Sequence, residues 1–155
     1  MENQPVLSIT GVDELDTNAM FLMGLAYKQF RAKLALDMIE VSSVSLEMFG
    51  AMKVLSQYGS ITQQQLANYL LRNRSVTKRL VDNAIKLGLI VASKSATNKK
   101  VKLLMLTAEG KQLVDECMPL VIDVSKQFQN NLSTAESKQL QHLLAKLVQT
   151  DQLTD

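Results

Sequence analysis

A chain of 155 residues is the length of one domain, with room for an appended assembly element. Its 46% apolar content is ample for a core, and two prolines and six glycines are too few for a turn-rich all-β chain. The net charge of +2 hides a split: residues 72–102 hold nine Lys or Arg against the single acid Asp82, a window of +8, while the rest of the chain is −6. The apolar run Met20 to Tyr27 is eight residues, far short of the roughly 18–20 that span a bilayer. The first residues lack the basic segment of a secretory signal, and the single Cys117 excludes an intramolecular disulfide framework. These features fit an intracellular, cytoplasmic protein.

Residues 1–11 lack a clear period and end at Gly11, so they read as an arm. From Asp13 to Val41 the pattern predicts one long helix, with Met20, Phe21, Leu25, Phe30, Leu34 and Met38 on more than one face. Such a helix needs cover on several sides, either from a monomer's own core or from a second copy of the chain. Ser45 can cap a helix running to Tyr58, with Leu46, Phe49, Met52 and Leu55 inward and Gly59 as its stop. Thr62 to Gln65 is a capping box opening a short helix that buries Leu66, Ala67 and Leu70. Asn73 can cap the next helix, which turns Val76, Leu80, Val81, Ala84 and Leu87 inward and ends at Gly88.

There the period changes. Leu89 to Val91 and Val101 to Leu106 read as strands joined by an exposed loop, 92–100, containing three lysines. Thr107 caps a helix to Phe128 that Pro119 should bend or split. Ser133 to Glu136 is a second capping box, opening a last helix with a stripe of Leu140, Leu143, Leu144 and Leu147. The tail after Thr150 is expected to fray.

The predicted fold is mainly α with a small β hairpin: a winged helix-turn-helix over 45–106, a helical dimerisation region from 12–41 and 107–150, and the arm 1–11. The helix 73–87 would enter a DNA major groove, presenting Arg74, Ser75, Lys78, Arg79, Asn83 and Lys86. Arg pairs bidentately with guanine, and Lys and Ser suit phosphate oxygens. Thr62 and Gln63 at the amino end of the preceding helix, and Arg72 in the turn, would meet the DNA backbone. The wing tip Asn98, Lys99 and Lys100 would reach the minor groove or its phosphates. A protein-binding winged helix without DNA is the alternative, and acidic or apolar residues on this face would favour it.

Leu66-Ala67, Val76, Arg79-Leu80-Val81-Asp82, Gly88-Leu89-Ile90 and Leu106-Thr107-Ala108-Glu109-Gly110 together resemble the MarR family of bacterial transcription regulators. The resemblance implies a homodimer built by the first and last two helices, here through Phe21, Leu25, Leu140, Leu143, Leu144 and Leu147. It also implies a pseudo-palindromic operator and usually repression. It admits a small-molecule effector in a pocket between the first, second and post-wing helices, for which Tyr27, Arg31, Met48 and Met52 are the candidate lining. The wing departs from the family pattern: Ala96-Thr97-Asn98-Lys99-Lys100 stands where members carry an Asp and two Arg. Lys is a point charge rather than a planar fork, so wing contacts are expected to be mostly to phosphate. Leu71-Arg72 replaces the family's usual Gly–apolar turn.

No catalytic constellation stands out, and no cofactor is expected. His142 is the sole histidine and has no second Cys or His beside it in sequence, so no metal site is expected. Cys117 reads as a buried small hydrophobe rather than a redox switch.

Overall fold

The computed structural model describes residues 7–39, 41, 42 and 44–150. The first half of the expected arm and the tail after Thr150 fall largely outside them. The described residues form α1 (Asp13–Asp16), α2 (Ala19–Met38), α3 (Leu46–Tyr58), α4 (Gln63–Leu70), α5 (Arg74–Lys86), β1 (Ile90–Lys94), β2 (Lys102–Leu106), α6 (Ala108–Phe128) and α7 (Thr134–Leu147). This mainly helical chain with one antiparallel hairpin is the fold class that the sequence predicts.

The local hydrogen-bonding chemistry sets the helix starts. Ser45, Thr62, Asn73, Thr107 and Ser133 each accept from a backbone N–H of their helix's first turn, and the boxes Thr62/Gln65 and Ser133/Glu136 are both complete. The single helix expected over 13–41 is instead two. Asn18 takes an extended backbone and caps α2 by accepting from the Phe21 N–H at 3.0 Å. Thr17 ends α1 by donating its hydroxyl to the Asp13 carbonyl at 2.7 Å. Pro119 does not divide α6, which runs on through it.

Residues 9–11 fold back onto α1. The Asp16 carboxylate accepts from the N–H groups of Ile9, Thr10 and Gly11 and from the Thr10 hydroxyl, all within 3.1 Å. The Thr10 hydroxyl first, then the three N–H groups, hold its carboxyl below the ordinary value near 3.8, against the opposing effect of burial. A depressed carboxylate stabilises the fold above its unfolded pKa, and that contribution disappears as pH falls through the folded value. Asp16→Asn should therefore lower the melting temperature at neutral pH. The gap to the unaltered chain should narrow as pH falls below 3.8; a gap unchanged at about pH 3, where an ordinary Asp of pKa about 3.9 is mostly protonated, would refute this.

The core fills the space between α2, α3, α4, α5, α6 and the hairpin. Leu34, Met52, Leu55, Leu66, Val81, Val114 and Cys117 are almost fully buried, each large aliphatic side chain contributing roughly 1.5–3 kcal/mol. Phe30 of α2 meets Phe128 of α6 edge to face, ring centroids 5.7 Å apart. Within α5 the predicted inward face needs two corrections. Leu87 is 49% exposed, because α5 ends at Lys86 and the chain turns there. Thr77 is wholly buried, its hydroxyl donating to the Asn73 carbonyl at 3.0 Å.

The turn between α4 and α5 carries a strained residue. Leu71 has φ +50°, the sole non-glycine with positive φ among the described residues. The Arg72 N–H returns to the Ala67 carbonyl at 3.1 Å, closing the helix as a glycine would. A left-handed Leu costs roughly 1 kcal/mol or more. Leu71→Gly should therefore stabilise by about 1 kcal/mol, raising the melting temperature by about 2–4 °C. Leu71→Ala keeps the strain and is the control; a glycine variant melting no higher than the alanine one would refute the account.

Candidate nucleic-acid interface

α4 packs against α5, and the hairpin follows α5 directly. Gly88, with φ +73°, makes this junction. The Leu89 N–H bonds back to the Ala84 carbonyl at 2.9 Å and the Gly88 N–H to the Ile85 carbonyl at 3.0 Å. Ile90 pairs with Leu106 and Lys94 with Lys102, so β1 extends three residues into the segment expected as loop. Ile61 forms an isolated antiparallel bridge with Leu104, exchanging hydrogen bonds with it. The bridge ties the start of α4 to the wing.

On this frame Arg72, Arg74, Ser75, Lys78, Arg79 and Asn83 are all exposed along the turn and α5. Thr62 and Gln63 are half-buried at the amino end of α4. The Thr62 oxygen is committed to the Gln65 N–H at 3.1 Å, leaving its hydroxyl proton for an acceptor. Ser75 donates to the Asn73 side chain at 3.1 Å, and its oxygen stays free to accept. Lys78 is ion-paired with Asp82 one turn on, at 2.5 Å. At the tip, Asn98 is a turn builder: its side-chain oxygen accepts from the Lys100 N–H and its carbonyl from the Val101 N–H. Lys99 and Lys100 are exposed beside it.

Away from this face the predicted groups separate. Tyr27 and Arg31 lie on α2, with the Arg31 guanidinium 5.7 Å from the Tyr27 ring centroid and paired with Glu47 at 2.8 Å. Met48 and Met52 are core residues. The four do not line a common cavity. Two clefts among the described residues lie elsewhere: one of about 470 Å³ between α3 and α6, with Lys53, Met118 and Ile122 in its wall, and one of about 580 Å³ between α3 and α4, with Phe49, Val54 and Leu70. Sequence reasoning missed Lys53, which borders both, because no local pattern distinguishes it from any other exposed lysine.

Phe21 and Leu25 are half-buried on α2, where Met20, Met23 and Tyr27 are exposed. Leu140, Leu143 and Leu147 are 41%, 48% and 51% exposed, Leu144 is half-buried, and α7 has no buried residue. Cys117 is buried, its sulfur 3.9 Å from the Ser42 hydroxyl. Burial pushes its thiol pKa up, with Glu116 adding to the rise, so the reactive thiolate is disfavoured. Among the described residues no group of three or more His, Cys, Asp or Glu is placed to hold a metal ion, and no helix is long and apolar enough to cross a membrane.

A helix-turn-helix with a basic second helix and a lysine-tipped wing, carried between long flanking helices, defines a winged-helix architecture. Solved structures share it. A probable transcriptional regulator from Pseudomonas aeruginosa superposes with TM-score 0.81 at 23% identity, over 86% of this chain and 99% of that one. A MarR variant from E. coli, complexed with operator DNA, gives 0.76 at 20%, over 83% and 91%. BpsR from Bordetella bronchiseptica, whose DNA binding is regulated by 6-hydroxynicotinic acid, gives 0.78 at 19%, over 84% and 93%. No protein-family profile and no curated protein matches the chain. The chain has the fold of the MarR-family transcriptional regulators.

Proposed function

We propose that the chain is a homodimeric, sequence-specific DNA-binding regulator of the MarR type, acting as a repressor on a pseudo-palindromic operator. One observation carries the reading. The window 72–102, at +8 in a chain otherwise −6, folds into one turn, one helix and one hairpin. A field of that sign on a groove-sized helix fits a polyanion. Arg74 and Arg79 read bases from α5, and Thr62, Gln63, Arg72, Ser75 and Lys78 position the backbone. Lys99 and Lys100 anchor the wing on phosphate. The DNA in the E. coli MarR complex supports this partner, and the exposed leucine stripe of α7 supports the dimer. A small-molecule effector, by analogy with BpsR, would enter the cleft between α3 and α6.

The test is binding to duplex DNA from immediately upstream of the chain's own gene, followed over salt concentration. Four neutralised phosphates would give about a tenfold loss of affinity when salt doubles. Arg79→Ala should cost on the order of 1–3 kcal/mol if Arg79 pairs with a base. Affinity indifferent to salt, or to removal of Lys78 and Arg79 together, would defeat the DNA reading in favour of a protein partner.

A further inference from the structure

Two lysines of the basic window have no role in the reading so far. Lys94 and Lys102 are directly opposite each other across the hairpin. They continue the row made by Ile90 with Leu106 and Ala92 with Leu104. Side chains two residues apart along a strand share a face. The lysines therefore stand on the face by which Ile90, Leu104 and Leu106 pack on the helices, one step beyond the core, where both are exposed. Opposed residues have Cβ atoms about 5 Å apart, and like charges there destabilise a hairpin. No carboxylate relieves this pair. Asp82, the single acid of the window, is held by Lys78, and neither Lys94 nor Lys102 forms an ion pair among the described residues.

Real proteins break such local rules mainly at functional sites. An anion between the two ammonium groups turns mutual repulsion into shared attraction. The anion is named by the neighbourhood: the same hairpin carries Lys99 and Lys100 at its tip, and the same window carries the arginines of α5. We propose that Lys94 and Lys102 form a clamp for one DNA backbone phosphate on the stem of the wing, separate from the tip, and that DNA binding stabilises this stem. The proposal rests on the DNA reading above and adds to it a site set by the register of the hairpin.

The experiment uses the full chain and a random-sequence duplex. Lys94→Glu gives the stem a complementary pair. It should raise the melting temperature by about 1–3 °C at about 0.05 M salt, lose that gain at about 1 M salt, and still weaken duplex binding. Lys94→Gln with Lys102→Gln should lower the slope of log affinity against log salt by about one. Either single Gln variant should leave most of that slope in place, because the remaining lysine still serves the same phosphate. Lys99→Ala with Lys100→Ala, as a control at the tip, should reduce the slope independently and leave the melting gain of Lys94→Glu intact. An unaltered chain with a steep salt slope that the double Gln variant matches overturns the clamp and spares the DNA reading. So does a double variant that aggregates with its affinity intact, since the lysines would then be guards of the edge strand β1. A full chain that binds no duplex overturns both.

Discussion

Gly110→Ala should lower the melting temperature by about 6–12 °C, the equivalent of about 3 kcal/mol in a chain of this size. A Cβ at Gly110 would stand 2.2 Å from the Leu89 carbonyl oxygen, 3.1 Å from its carbon and 3.3 Å from the Leu106 side chain. The oxygen is backbone and already accepts from the Thr107 N–H at 3.1 Å, so it cannot swing aside. Relief requires α6 to lift from the base of the wing, and the displaced wing should weaken DNA binding beyond what the lost stability explains. Gly50→Ala is the control. It lies mid-helix in α3 with nothing within 4 Å of the new methyl, and should gain about 0.5–1 kcal/mol. If Gly110→Ala melts within about 1 °C of the unaltered chain (a shift under roughly 0.5 kcal/mol), the close approach is not the reason for glycine there.

Removing the chain from Ser133 onward should give a monomer whose operator affinity falls by about two to four orders of magnitude, the advantage that a second tethered reader supplies. Helix α7 has fourteen residues, no buried side chain and a leucine stripe. A helix of that length is marginal in water on its own, and packing of one face is what stabilises such helices. The exposed apolar residues of α2, including Met20, Met23 and Tyr27, offer a matching unfilled surface. Leu140→Asp with Leu147→Asp makes the same test without truncation. Sedimentation should show monomers for both, while the melting of the winged helix persists. A truncated chain that remains dimeric with unchanged operator affinity would defeat the assignment.

The parts of the fold legible in the sequence are those fixed by contacts a few residues apart. The caps at Ser45, Thr62, Asn73, Thr107 and Ser133 are of this kind, since one side chain satisfies an N–H three positions on. The break at Thr17 and Asn18 was hidden because an apolar stripe runs across it, and Asp16 gains its backbone partners only when residues 9–11 fold back. Strand β1 was underestimated because Ala92, Ser93 and Lys94 have weak strand propensity, and their conformation comes from pairing with β2. Thr77, absent from the predicted inward face, is buried with its hydroxyl donating to the Asn73 carbonyl, a contact that a polar residue's type does not announce. At the candidate interface, the charge split placed Arg74, Lys78 and Arg79 on one helix without any tertiary knowledge. The opposition of Lys94 and Lys102 needed the register. The cleft beside Lys53 needed the packing of α3 on α6, and no spacing along the chain encodes that.

The Thr107 hydroxyl donates to the Gly88 carbonyl at 2.6 Å and accepts from the Gly110 N–H at 3.0 Å. One side chain thus ties the end of α5 to the start of α6. A helix of 21 residues is about 30 Å long. A tilt of about 5° along such an arm moves its end by about 3 Å, close to the rise of one base step. In the proposed dimer, whatever changes the angle between the two copies of α6 also changes the distance between their recognition helices. Operator spacing is then gauged by the arms of the dimer, and a ligand wedged beside α6 could detune it without touching a single DNA-facing residue.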